Sequence, residues 1–230
     1  MISTTAPAFS SLLDLLEYRA SEASGTANNP AFTFLEDGET VSRSITFSEL
    51  DVLARELAAQ LQRVAPAGSR VMIVHAPSID YVIAFMACAY AKLIAVPALP
   101  PTSLRALPRF QRIVEDATPH VVLTSGFIAG AIAAVADGPA WLKSLNWIAT
   151  DQPFATPATW TRPEILPSDV SFLQYTSGST GWPKGVMVSH SNVLNNSALI
   201  KEAFRGTSSD TVVSWLPPHH DMGLIGMILT

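Results

Sequence analysis

The sequence contains a single cysteine and few basic residues. Cys88 has no partner for an intrachain disulfide, and its place in the apolar run YVIAFMACAY predicts a buried small hydrophobic residue rather than a reactive thiol. The 14 lysines and arginines face 19 acidic residues, which disfavours the basic surface of a general nucleic-acid-binding protein. The first ten residues, MISTTAPAFS, lack the basic flank and apolar run of a signal peptide. These absences predict a cytoplasmic protein without a nucleic-acid partner.

One apolar segment approaches the length of a membrane span. Residues 81–99 read YVIAFMACAYAKLIAVPAL, but Lys92 divides the segment and Pro97 follows soon after. The pattern therefore favours a buried helix, with Ser78 near its start, followed by the short core strand LIAVPA. We expect no membrane span.

Short apolar strands alternate with helical patterns along the rest of the chain. A hairpin is predicted around Asp37-Gly38, and Thr46 with Glu49 forms a candidate capping box for the helix that follows. The further predicted strands are RVMIV, HVVLT, NWIA, VSFLQYT, VMVSH and TVVSWL, and the further predicted helices lie near 105–117, 127–136 and 191–204. This alternation predicts an α/β fold whose layered, largely parallel sheet is flanked by helices.

Proline content indicates how this fold is divided. Four prolines fall within residues 151–167, which are therefore expected to form a surface linker. It would join a first α/β subdomain, residues 1–150, to the start of a second, residues 168–230.

The stretch YTSGSTGWPKG, residues 175–185, interrupts two apolar strands with residues that disfavour regular structure. Its glycines let backbone N–H groups approach an anion, its hydroxyls add donors, and Lys184 adds a cation that Pro183 helps to present. A solvated turn is the alternative, but the order of residues favours a loop that binds polyphosphate beyond the carboxyl end of a strand. The Walker pattern fails because Pro183 precedes the lysine, and neither the dinucleotide fingerprint nor a Gly-x-Ser-x-Gly elbow fits.

A second stretch, SWLPPHHDMGLIGMIL at 214–229, places two histidines after Pro217-Pro218. In an extended chain His219 and His220 would point to opposite sides, so that only one faces a site. Asp221 is a candidate helix cap, and Gly223 and Gly226 would leave room for an alkyl chain or a close neighbour. The residues alone favour a structural histidine at a strand–helix junction. The spacing of the five histidines gives no metal site.

The first stretch resembles the signature loop of the adenylate-forming superfamily, which uses ATP to convert carboxylates into acyl-adenylates. The second stretch, with FLEDGE, ITFSELDVLAREL and LIAVPALPP, resembles the fatty acyl-AMP ligases, which load fatty acids onto acyl carrier proteins. The resemblance covers essentially the whole chain and implies ATP and Mg²⁺, a long-chain fatty acid as substrate and an acyl carrier protein as partner. His219 departs from the aromatic or aliphatic residue expected before HDMG.

The resemblance also assigns roles to individual residues. His220 would line the acyl pocket near the reacting carboxylate. The β- and γ-phosphates of ATP would be held by the loop residues Thr176, Ser177, Gly178, Ser179, Thr180, Gly181 and Lys184. The resemblance further implies that the 230 residues form the N-terminal part of the large domain of such an enzyme, and we expect them to form no acyl-adenylate alone. An acyl-CoA synthetase, or a non-catalytic module that binds nucleotide or lipid, remains an alternative.

Overall fold

A computed structural model describes most of the chain. The described residues are 9–101, 103, 105–134, 138–152, 158–176, 182–207 and 209–230. The helices are α1 (Leu12–Ala20), α2 (Phe47–Val64), α3 (Ile79–Tyr90), α4 (Leu107–Ala117), α5 (Gly126–Ala134), α6 (Ala140–Lys143), α7 (His190–Phe204) and α8 (Asp221–Gly223), with a 3₁₀ turn at Glu22–Ser24 and a π-helical turn at Leu224–Ile228. The strands are β1 (Pro30–Leu35), β2 (Val41–Thr46), β3 (Arg70–Val74), β4 (Ile94–Pro97), β5 (Val121–Thr124), β6 (Trp147–Ala149), β7 (Val170–Thr176) and β8 (Lys184–Ser189).

The main sheet has six strands in the order β6-β5-β3-β4-β7-β8. The first five are parallel, and β8 pairs antiparallel with β7 at one edge. The predicted α/β fold with a largely parallel sheet is confirmed. The strands on both sides of the proposed subdomain boundary belong to this one sheet, and the division itself stays a prediction.

Alternate strand residues supply two hydrophobic cores, one on each face of the sheet. Val71 and Ile73 pack with α1, α2 and α3 on one face, whereas Met72 and Val74 pack with α4 on the other. This is the period of two that a strand buried on both sides requires. The α3 face carries the larger core, and the apolar run that resembles a membrane span lies within it. None of the helices in the described ranges has the length and hydropathy to cross a membrane.

The local signals at helix and hairpin ends are confirmed. Thr46 and Glu49 form the capping box of α2, and Ser78 caps α3 by accepting a hydrogen bond from the Tyr81 N–H at 3.2 Å. Gly38 has a φ of 88°, which glycine adopts without strain, in the turn between β1 and β2. Cys88 is fully buried, as predicted, and burial raises the pKa of its thiol.

Residues 158–166, called the strap below, have no regular structure but pack onto α1, α2 and α3. The Trp160 indole N–H donates to the carbonyl of Tyr90 at 2.9 Å, and the Arg55 guanidinium lies 4.2 Å from the centre of the indole ring. Arg162 forms ion pairs with Asp14 and Glu17. This part of the predicted surface linker is therefore fastened to the helical layer.

Two strand predictions need correction. TVVSWL, residues 211–216, forms no strand, and Val213 and Trp215 are 76% and 89% exposed. Strand-forming residues need a hydrogen-bonding neighbour, and no described strand pairs with them. VMVSH does form β8, but as an edge strand, where Met187 is 71% exposed, rather than as a core strand.

Candidate functional site

The predicted phosphate loop joins β7 to β8 at the carboxyl edge of the parallel strands. Thr176 is the last residue of β7 and pairs directly with Lys184, the first residue of β8. Both are exposed, and Lys184 has no ion pair with any residue that the structure describes. The predicted contacts Ser177, Gly178, Ser179, Thr180 and Gly181 lie outside the described residues. The structure therefore places the two ends of the loop at the edge where α/β proteins bind ligands.

Because successive side chains of a strand point to opposite faces, the side chains of β7 and β8 near the loop lie on two faces of the sheet. Gln174 and Thr176 are two residues apart and share one face, and Lys184, directly opposite Thr176, lies on the same face. Tyr175 lies on the opposite face, in the core that packs against α4. The predicted phosphate contacts Thr176 and Lys184 are thus on one side of the sheet.

The histidine segment, residues 217–223, lies on that same face and is held there by two buried side chains. The Tyr81 hydroxyl, in the first turn of α3, donates to the carbonyl of Pro218 at 2.7 Å. The side-chain amide of Gln174 donates to the carbonyl of His219 at 3.0 Å. The Oε1 of Gln174 is buried without a hydrogen-bond partner in the described part of the chain, which leaves one acceptor beneath the segment. The sheet thereby positions the segment beside β7.

Helix α8, at the end of the segment, requires a glycine at position 223. A Cβ at Gly223 would lie 2.2 Å from the carbonyl oxygen of Pro217, so any side chain would push the two apart. The sequence predicted that Gly223 leaves room either for an alkyl chain or for a close neighbour. The structure supports the second, and the neighbour is the carbonyl of Pro217. The N-cap of α8 is His220 rather than Asp221, whose carboxylate accepts a hydrogen bond from the Met222 N–H at 2.8 Å. The predicted cap at Asp221 is therefore wrong by one residue.

The two histidine rings lie side by side, with centroids 4.7 Å apart. The prediction that they point to opposite sides assumed an extended backbone, but residues 218 and 219 form a turn, which brings the rings together. His219 is half-buried, and burial, followed by the nearby His220 and Arg109, lowers the pKa of its imidazole. His220 is exposed. Which ring meets a substrate stays a prediction, and His220 remains our choice.

Gly185 lies in a strand rather than in a turn. It is the second residue of β8, directly opposite Tyr175, and a Cβ there would lie 2.9 Å from the Cζ of the tyrosine ring. Its missing side chain makes room for that ring, as happens where an aromatic residue covers a strand glycine. At the end of the motif, Lys184 is therefore an exposed cation, whereas Gly185 is needed because the Tyr175 ring packs against it.

The described ends of the loop supply the cation of Lys184 and the hydroxyl group of Thr176. The described part of the chain contains no cluster of three or more histidine, cysteine, aspartate or glutamate side chains able to hold a metal ion. Sequence reasoning missed Tyr81 and Gln174, which position the histidine segment. A polar residue within the apolar strand VSFLQYT was the one available signal for Gln174, and a hydroxyl in an apolar helix was the signal for Tyr81.

Comparison with known proteins identifies the family. The AMP-binding enzyme family matches residues 20–230. The chain belongs to this family. A medium-chain-fatty-acid ligase of Moorena producens that acts on the acyl carrier protein is 36% identical over 95% of the chain and 37% of its own length. A long-chain-fatty-acid–AMP ligase of Mycobacterium marinum is 34% identical over 86% of the chain and 32% of its own length.

A solved structure shows the same relationship in three dimensions. The fatty acyl-adenylate ligase of Legionella pneumophila, in complex with acyl adenylate and pyrophosphate, has a TM-score of 0.84 and 40% identity. The match covers 95% of this chain and 37% of that one. The chain thus spans 32–37% of the length of these three relatives. The predicted resemblance to the fatty acyl-AMP ligases is confirmed.

Proposed function

We propose that this protein activates a long-chain fatty acid with ATP to an acyl-adenylate and transfers the acyl group to an acyl carrier protein. The observation that carries the proposal is the shared face of the sheet. Thr176 and Lys184 flank the signature loop on the same face that holds the histidine segment. A phosphate site and an acyl site on one face are what the joining of two substrates requires.

The chemistry joins two anions. A carboxylate oxygen of the fatty acid attacks the α-phosphorus of ATP, an acyl-phosphate bond forms, and pyrophosphate leaves. The protein contributes mainly by positioning the substrates and neutralising charge, and Lys184 supplies a cation at the end of the loop. Mg²⁺ would enter on the phosphates of ATP, whose oxygens are its preferred ligands. The loop residues from Thr176 to Gly181 would hold the β- and γ-phosphates that leave as pyrophosphate.

The histidine segment would meet the fatty acid. His220 is exposed on the anchored segment, beside the half-buried His219, so its imidazole can line the entrance of an acyl pocket near the reacting carboxylate. Its proposed role is to contact the substrate. In the second step, the thiol of a phosphopantetheine group attacks the acyl-adenylate and AMP leaves. We place these steps in the cytoplasm, where carrier proteins and ATP are available.

The proposal is tested by fatty-acid-dependent exchange of pyrophosphate into ATP. Lys184→Ala in the full-length protein should lower this exchange about tenfold to a hundredfold, because a hydrogen bond to a charged group is worth about 1.5–3 kcal/mol. Thermal unfolding should be unchanged, because the exposed lysine packs against no core. A matched control is Lys201→Ala, an exposed lysine of α7.

Two outcomes would contradict the proposal. Exchange that is the same in Lys184→Ala and in the wild type would remove the phosphate assignment. No fatty-acid-dependent exchange in the wild type would favour a non-catalytic nucleotide- or lipid-binding module. A separate assay identifies the acceptor of the acyl group. The full-length protein is supplied with either CoA or a phosphopantetheinylated carrier protein, and the acylated product is measured. Formation of acyl-CoA alone would identify an acyl-CoA synthetase.

A further inference from the structure

One helix contacts the hairpin on both sides of the signature loop. Asp116 of α4 accepts a hydrogen bond from the Tyr175 hydroxyl at 2.5 Å. Arg112, four residues earlier on α4, places its guanidinium carbon 4.0 Å from the centre of the Trp182 ring. Residues four apart lie on one face of a helix, so a single face of α4 makes both contacts. We call these four side chains the α4 clamp.

The clamp brackets the loop closely. Tyr175 is the penultimate residue of β7, and Trp182 lies two residues before the start of β8. The Tyr175 ring also covers Gly185 across the hairpin, where a Cβ would be 2.9 Å from the ring. Both strand ends are therefore held from the α4 side of the sheet.

The clamp lies on the opposite face from the predicted phosphate contacts. The side chains of Thr176 and Lys184 lie on the face of the histidine segment, whereas Tyr175 belongs to the core on the α4 face. Because Tyr175 is joined to Thr176 and paired with Gly185, next to Lys184, any shift of the clamp moves both phosphate contacts. The clamp can thus act on the site without touching a substrate.

We propose that Arg112 and Asp116 are positioning residues that set Lys184 and Thr176 for the phosphates of ATP. The inference rests on the proposed function and adds a means by which this chain aligns its phosphate site. Trp182 is 58% exposed, so its contact with Arg112 contributes little core packing. Binding and catalytic groups must be held within about 0.5 Å of their productive positions. The contact between Arg112 and Trp182 can therefore matter for alignment even though it adds little stability.

A double-mutant cycle tests the clamp in the full-length protein. Arg112→Ala and Trp182→Ala should each raise the KM for ATP about two- to fivefold, the effect of losing one exposed cation–π contact. The KM for the fatty acid should stay unchanged. The effects of the two changes should be less than additive, because both remove the contact between Arg112 and Trp182. Trp182→Phe keeps an aromatic ring under Arg112 and should restore most of the affinity.

The second half of the clamp has its own variant. Tyr175→Phe keeps the ring over Gly185 but loses the hydrogen bond to Asp116, and it should raise the KM for ATP by a similar factor. Arg63→Ala, which removes an exposed arginine at the end of α2, is the matched control and should leave both KM values unchanged.

The results separate this inference from the proposed function. If the wild type carries out fatty-acid-dependent exchange but the KM for ATP is unchanged in Arg112→Ala, Trp182→Ala and Tyr175→Phe, the clamp is wrong while the function stands. Additive effects in the cycle would also overturn it. If the KM for the fatty acid rises together with that for ATP, the contacts have a general structural role instead.

Discussion

Helix α3 contacts an irregular segment at each of its ends, and the two segments lie at opposite edges of the sheet. At its last residue, the carbonyl of Tyr90 accepts the Trp160 indole N–H of the strap at 2.9 Å. In its first turn, the Tyr81 hydroxyl donates to the Pro218 carbonyl of the histidine segment at 2.7 Å. The start of α3 follows β3 and therefore lies at the carboxyl edge of the sheet, whereas its end lies at the opposite edge.

The two hydrogen bonds are similar, but the edge of the sheet at which each lies decides what its loss would affect. Ligands bind at the carboxyl edge of α/β sheets, so a contact there holds the residues that we propose to meet substrates. The strap lies at the other edge, among ion pairs of α1 and α2. We therefore expect damage at the strap edge to lower stability with little effect on chemistry, and damage at the carboxyl edge to impair the chemistry as well.

The largest expected effect is an acid-induced loss of stability at the strap edge. The buried Nδ1 of His190 accepts the Leu12 N–H at 3.2 Å, and burial lowers the pKa of His190 to about 4, although Asp169 and Asp14 oppose the shift. Since the pKa in the unfolded chain is about 6.5, this contribution is complete above about pH 6.5 and is lost as the pH falls towards 4. It amounts to at most about 3 kcal/mol.

His190→Asn tests this pH dependence because asparagine can accept the same N–H without titrating. The free energy of unfolding, measured between pH 7 and 4.5, should fall less steeply in this variant than in the wild type. His120→Asn, at an exposed histidine, should leave the slope unchanged. Equal slopes for His190→Asn and the wild type would show that His190 does not cause the acid lability.

The next effect in size lies at the carboxyl edge, in the histidine segment. His220→Ala should lower acyl-adenylate formation about tenfold to a hundredfold, the loss expected for one hydrogen bond to a charged substrate. The KM for ATP should change little. His219→Ala should do less, because its half-buried ring is held beside His220. A larger loss from His219→Ala would reverse the assignment of the substrate-facing ring.

Tyr81→Phe should have a smaller effect at the same edge. The change leaves the Pro218 carbonyl without its buried partner, at a cost of about 1–2 kcal/mol for docking the segment. We expect kcat/KM for the fatty acid to fall about tenfold, together with a fall of about 2–8 °C in the unfolding temperature. Tyr18→Phe, at a tyrosine 45% exposed, is the control. A large fall in unfolding temperature without a change in kcat/KM would erase the contrast between the two edges.

The sequence predicted the elements that form from local signals and burial, and failed where a distant partner decides the outcome. Ser78, Thr46 and Gly38 act within a few residues, and each does what its position predicted. TVVSWL has strand-forming residues but no described strand beside it. The facing of His219 and His220 depended on a turn that the pair Pro217-Pro218 did not reveal.

The position of the candidate site could be predicted only in part. The motif located the two ends of the loop, Thr176 and Lys184, because the strands on both sides were apolar and the loop was not, whereas their contacts with phosphate stay a prediction. The anchors Tyr81 and Gln174 lie 137 and 45 residues from the carbonyls they bind, and no spacing rule connects such pairs. Contacts across that distance appear only once the sheet order is known.

The smallest expected effect is at the strap, where Trp160→Phe removes one hydrogen bond but keeps an aromatic ring near Arg55. The loss should be about 1 kcal/mol, which lowers the unfolding temperature by about 2–4 °C in a domain of this size. Fatty-acid-dependent exchange should be unaffected, because the strap lies at the edge away from Lys184. Trp215→Phe is the matched control, since that indole is 89% exposed and should change neither quantity. If Trp160→Phe lowers exchange as much as Tyr81→Phe does, the two ends of α3 are coupled, and the division between a structural edge and a chemical edge is wrong.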